Sequence, residues 1–125
     1  MNAETLLLRQ IHPYWIQEGR VTSQAFRPTP KDENQLSVYD GDCITPVGSW
    51  RHYTTELKLS SVGVMAITHG QCDEQGLPVD PNGVPFPEHV LIDFSGMGKK
   101  EIERKAKILT GYARTRGWLY QKESC

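Results

Sequence analysis

The run Val62–Thr68, VGVMAIT, limits what this chain can fold into more than any other segment. It carries no charge, has the length of a strand rather than a helix, and stops at the polar Thr68-His69-Gly70. An apolar run of that length reads as a strand buried on both faces, expected at the centre of a sheet. A sheet with such a strand needs helices packed against it, and two segments qualify. Thr45-Pro46 offers a capping hydroxyl followed by a proline that needs no N–H partner, and Val47, Trp50, Tyr53 or Thr54, and Leu57 follow at helical spacing. This predicts a helix over 46–58. In the second, Ile102, Ala106, Leu109 and Ala113 share one side of a helix expected over 99–116, with Gly117 as its C-terminal cap.

The remaining apolar runs are strand-like and bounded by breakers. Residues 4–11 end at His12-Pro13, since a proline disfavours helix at the residue before it. Glu18-Gly19 marks a turn between residues 14–16 and 21–26, and Leu36–Tyr39 and His89–Phe94 read as further strands. Residues 70–87 hold so many glycines and prolines that a long loop is expected, with a brief strand at 77–79; Trp118–Tyr120 suits an edge strand. The expected fold is a single compact α+β domain over 1–125: a mixed or antiparallel sheet of about five strands with two helices.

At 125 residues with 38% apolar and 23% charged side chains, one soluble domain with its own core is expected. No apolar run approaches the roughly 18 residues of a membrane span, and the N-terminus lacks the basic start of an export signal. Three widely spaced cysteines, Cys43, Cys72 and Cys125, suit reduced thiols, so a cytoplasmic protein is expected. Residues 99–125 hold eight Lys/Arg against three Glu, a local +5 within a net charge of −1. The solvated face of an amphipathic helix accounts for that excess, and nucleic-acid binding is not expected from it.

Familiar catalytic and metal motifs are missing. His69-Gly70-Gln71-Cys72 has a zinc-like gap but no second pair of ligands, and no metal site is expected. Ser37 lacks the G-x-S-x-G elbow, and Ser95-Gly96-Met97-Gly98 lacks the third glycine of a dinucleotide loop. No cofactor is named. The candidate site lies at strand ends. Arg9, His12, Ser37 and His89 are the candidate catalytic residues, and Arg27, Lys31, Asp32 and Tyr39 the candidate substrate-binding residues. A base, cations and hydroxyls on one rim of a sheet would suit a phosphate or carboxylate on a nucleotide-like ligand. The proline-stiffened stretch Ser23–Asp32, SQAFRPTPKD, is expected to wall that cleft, with Phe26 anchored in the core.

Arg9 or His12, then Tyr39 or Ser37, then Glu88 resemble in outline the ordered residues of ADP-ribosyltransferase-like toxins. That resemblance implies NAD as substrate, with the first residue on ribose, the second supporting nicotinamide and the carboxylate polarising ribose. Leu8–Pro13, Ser23–Asp32, Leu36-Ser37-Val38 and Pro87–Val90 together resemble a family of small bacterial single-domain proteins that brings no activity with it. In that pattern Arg9, His12, Ser37 and His89 are the typical positions. The expected function is a small bacterial enzyme or toxin-like effector acting on a nucleotide- or NAD-like anionic ligand. The alternative is a non-catalytic component that binds a cognate protein in a defence or toxin-antitoxin system.

Overall fold

A computed structural model describes residues 1–123 of the chain. In chain order the strands are β1 (Leu6–Gln10), β2 (Ile16–Gln17), β3 (Arg20–Val21), β4 (Gln35–Asp40), β5 (Gly63–Thr68), β6 (Val79–Asp80), β7 (His89–Asp93) and β8 (Tyr120–Gln121). Six of them form one sheet in the order β6-β7-β4-β1-β5-β8, antiparallel throughout, while β2 and β3 make a separate hairpin. The helices are α1 (Pro46–Arg51), α2 (His69–Glu74) and α3 (Lys99–Arg116). The α+β class is as the sequence predicts.

Several elements differ from expectation for identifiable reasons. The apolar run became β5 and is buried, but it lies beside the short edge strand β8, and β4 and β1 hold the centre. Residues 22–26 do not continue the hairpin strand; they wind into a 3₁₀ turn that buries Ala25 and Phe26 against α3. The expected loop over 70–87 begins with α2. Thr68 and Gln71 form a reciprocal capping box there, Oγ1 accepting from Gln71 N–H at 3.0 Å and Oε1 accepting from Thr68 N–H at 2.9 Å. The HGQC stretch is therefore a helical turn, with Cys72 buried and His69 Nδ1 3.2 Å from Asp73 Oδ2. Thr45 caps α1 as its sequence implies. That helix then widens into a π turn over His52–Glu56, closed by Leu57 N–H on the His52 carbonyl.

The alternation of β-strand side chains supplies two unlike layers. On one face, Ile102, Leu109 and Ala113 of α3 pack with Leu7, Leu36, Val38, Ile67, Val90, Ile92 and Phe26. On the other, a smaller cluster of Leu8, Tyr39, Val64 and Ala66 lies beneath Trp50, Tyr53 and Phe86. The sheet is not equally tight across its width. β1 pairs with β5 at five positions and β4 with β7 at five, but β1 pairs with β4 at only two, Leu7 with Asp40 and Leu8 with Tyr39. Beyond Leu8 the central strands part, and the candidate site occupies the opening.

Candidate functional site

Arg9 fills the opening between β1 and β4. Its Nε donates to the Ala25 carbonyl at 2.7 Å and its Nη1 to the Ser37 carbonyl at 2.9 Å, so a side chain replaces the missing backbone ladder. The Trp15 ring lies 5.0 Å from the guanidinium carbon. Both acceptors are neutral, and among the described residues no carboxylate lies within 4.0 Å of the guanidinium. Burial lowers its pKa to about 10, opposed by electrostatic interaction with Tyr53 and Asp32, and the group stays cationic at neutral pH.

Next to Arg9 opens a cavity of about 610 Å³ on the α1 side of the sheet. Its floor is Leu8, Gln10, Ser37 and Tyr39, and Pro85, Phe86 and His89 stand on one side. Tyr53, Leu57 and Leu59 stand on the other, and Arg27, Thr29 and Asp32 close one end beside Arg9. The proline stretch does wall this cleft, with Phe26 fully buried behind it. Thr29 Oγ1 donates to Asp32 Oδ2 at 3.0 Å and fixes that carboxylate within the turn.

The floor and side wall hold a hydroxyl–imidazole–amide row. Register places Ser37 and Tyr39 on the cleft face of β4 and pairs Tyr39 with His89 at the start of β7. Ser37 Oγ lies 3.1 Å from His89 Nε2, and His89 Nδ1 lies 2.9 Å from Asn82 Oδ1. Asn82 Oδ1 also accepts from Val84 N–H at 3.4 Å, so this atom is the amide oxygen and His89 Nδ1 carries a proton towards it. In the neutral ring Nε2 is then the free base that accepts from the Ser37 hydroxyl. Ser37 is exposed to the cleft while His89 is buried. Burial lowers the His89 pKa, opposed by a hydrogen bond with the Val84 backbone, which favours the neutral imidazole.

A second imidazole supports the floor from outside. Tyr39 and His52 Nδ1 are 2.8 Å apart, and burial, with electrostatic interaction with Tyr53 and Glu88, raises the Tyr39 pKa well above its ordinary value. The phenol therefore keeps its proton at neutral pH. The Tyr39 ring stacks on Phe86 at 5.1 Å, and His52 and His89 meet the same Phe86 edge-on at 4.5 and 5.2 Å. Tyr39 is thus rigidly held and presents an aromatic surface rather than a labile proton.

Of the residues singled out in the sequence, the fold gathers Arg9, Ser37, His89, Arg27, Asp32 and Tyr39 around one cavity. His12 and Lys31 do not line it. His12 Nδ1 accepts from Tyr14 N–H at 3.0 Å and caps the 3₁₀ turn Pro13–Trp15, since Pro13 turns the chain away from the cleft. Lys31 is exposed on the turn Pro30–Asp32 and extends into solvent. Glu88 lies off the cavity, where its carbonyl accepts from Asp40 N–H at 2.9 Å. Sequence reading overlooked Asn82, Tyr53 and Phe86. Asn82-Gly83 carries only a turn signal, and the histidine it meets lies seven residues on, across a loop that the sequence leaves open. Among the described residues no group of three or more His, Cys, Asp or Glu is placed to hold a metal ion. No protein-family model matches the chain, and no curated protein or solved structure matches it either.

Proposed function

We propose that the protein is a small enzyme in which His89 acts as general base on the Ser37 hydroxyl, in a cleft that takes an anionic, nucleotide-like ligand. The Ser37–His89–Asn82 row is the observation that carries this reading. It pairs an exposed hydroxyl with a buried neutral imidazole whose far nitrogen is anchored by an acceptor. Nucleophile, base and orienting group stand in the relation that nucleophilic catalysis requires, without the strand–turn–helix elbow. Arg9 supports it as a cation lining the cleft, with its Nη1 on the Ser37 carbonyl and, among the described residues, no carboxylate within 4.0 Å, which suits negative charge at the cleft. Arg27 at the rim suits the ligand's own anionic group, and Phe86 and Tyr53 suit a planar ring. Because His12 and Glu88 lie off the cavity, the reading rests on His89 and Ser37, not on the carboxylate of an NAD-transferase arrangement. The free thiols Cys43 and Cys72 favour a reducing compartment, and we place the protein in the cytoplasm on that ground; Cys125 lies outside the described residues.

The test is covalent labelling. A fluorophosphonate is expected to modify Ser37 with loss of fluoride, ADP is expected to slow the reaction, and Ser37→Ala is expected to abolish it at that site. Labelling of Ser37 no faster than that of other exposed serines would overturn catalysis. It would leave the second reading, a non-catalytic component of a defence or toxin-antitoxin system, which the exposed Lys99, Lys100, Arg104 and Lys107 on α3 favour as a contact surface.

A further inference from the structure

The cleft is chemically divided around Ser37, and the division specifies more than an anionic ligand. One wall carries Leu57 and Leu59, which remain 37% and 49% exposed, with Tyr53 between them and the floor. Large aliphatic side chains left in solvent beside a hydrogen-bonded serine lose water contact only when an apolar group covers them. The adjoining end carries Arg27 and Arg9 against the single carboxylate Asp32, an excess of one positive charge. Ser37, Leu57, Leu59, His89 and Arg27 all line this one cavity, with Ser37 two residues along β4 from Gln35.

We infer that the substrate is an ester or thioester of an apolar carboxylic acid with a phosphate-bearing leaving group, its acyl chain on Leu57 and Leu59 and its phosphate at Arg27. This rests on the general-base role of His89 argued above. Ser37 Oγ forms the bond to the acyl carbon as its proton passes to His89 Nε2. The tetrahedral intermediate breaks the bond to the leaving oxygen or sulfur, which departs with that proton. Water then gives a proton to His89 and attacks the Ser37 ester, releasing the carboxylic acid and returning the proton to Ser37 Oγ. The net reaction consumes one water and needs no redox partner. Arg9, whose Nη1 donates to the Ser37 carbonyl, is the cation that would offset the charge of the oxyanion in both steps.

Two substrate series test the two halves of the proposal. With p-nitrophenyl acetate, butyrate and hexanoate, kcat/KM is expected to rise at least tenfold with chain length, and the gradient is expected to flatten in Leu57→Asp and Leu59→Asp. Both residues are solvent-exposed, so the variants fold, as thermal unfolding will verify. Hexanoyl coenzyme A is expected to show a KM at least tenfold below that of the hexanoyl thioester of N-acetylcysteamine, an advantage lost in Arg27→Glu. A flat chain-length series, or equal KM for the two thioesters, overturns this substrate class. Fluorophosphonate labelling of Ser37 without hydrolysis of any of these compounds overturns it while leaving the general-base reading intact. Absence of labelling overturns both.

Discussion

Strand β4 sends neighbouring residues into two environments that obey different rules. Leu36 and Val38 enter the layer under α3, where each is 2% exposed and belongs to the main apolar cluster. Ser37 and Tyr39 enter the opposite layer, where an exposed hydroxyl meets an imidazole and a phenol meets another. The first face gains stability from burial and close packing. The second leaves polar groups at a cavity, an arrangement that stability alone does not favour. The difference teaches that one sheet separates fold from site through its period of two, so substitutions on the two faces should have separable consequences.

The widest test of that separation is Phe26→Ala. The side chain is fully buried on the α3 face, and its removal is expected to cost about 3–5 kcal/mol, read as a lower denaturation midpoint. Asn82→Ala comes next and is expected to act on the cleft: the His89 tautomer loses its anchor, and Ser37 labelling slows by roughly a hundredfold, a size typical of general-base contributions. The fold should survive, and a loss of stability comparable to that of Phe26→Ala would refute the division between faces.

A third, smaller effect is the pH dependence of labelling. Because burial favours neutral His89, labelling is expected to be constant above pH 7 and to fall with a midpoint below the usual histidine value of 6.5. The unfolded chain binds a proton at His89 more readily than the folded one. Its contribution to stability is therefore complete above pH 6.5 and lost as pH falls through the lowered folded value. A midpoint above 6.5 would mean that the imidazole is not held as described. Lys31→Ala is expected to do least, within about 0.5 kcal/mol in stability and with no change in labelling, because Lys31 is exposed and off the cavity.

Much of the frame was legible because it depends on local rules. The spacing of Ile102, Ala106, Leu109 and Ala113 located α3, and Gly117, at φ 86°, ends it in a conformation that glycine tolerates best. Thr45-Pro46 located the start of α1, though nothing in the local pattern distinguished the later π turn from continued α-helix. α2 was hidden because its capping box, Thr68 with Gln71, lies where an apolar strand runs into a breaker-rich segment. In the site, Arg9, Ser37 and His89 were legible as polar groups on or beside strands. Their partners were not, since His12 faced a choice between the cleft and its own turn and Asn82 resembled any other turn residue.

The sequence by itself determined which segments extend, which coil, and which side chains alternate on β4, because periodicity, caps and breakers act over a few residues. Only the tertiary structure decided that β1 and β4 part beyond Leu8 and that Arg9 fills the opening. It also decided that Ser37 and Asn82 meet on the two nitrogens of His89. Those contacts join residues up to 52 positions apart, so strand register and loop path fix them, and no local pattern encodes either.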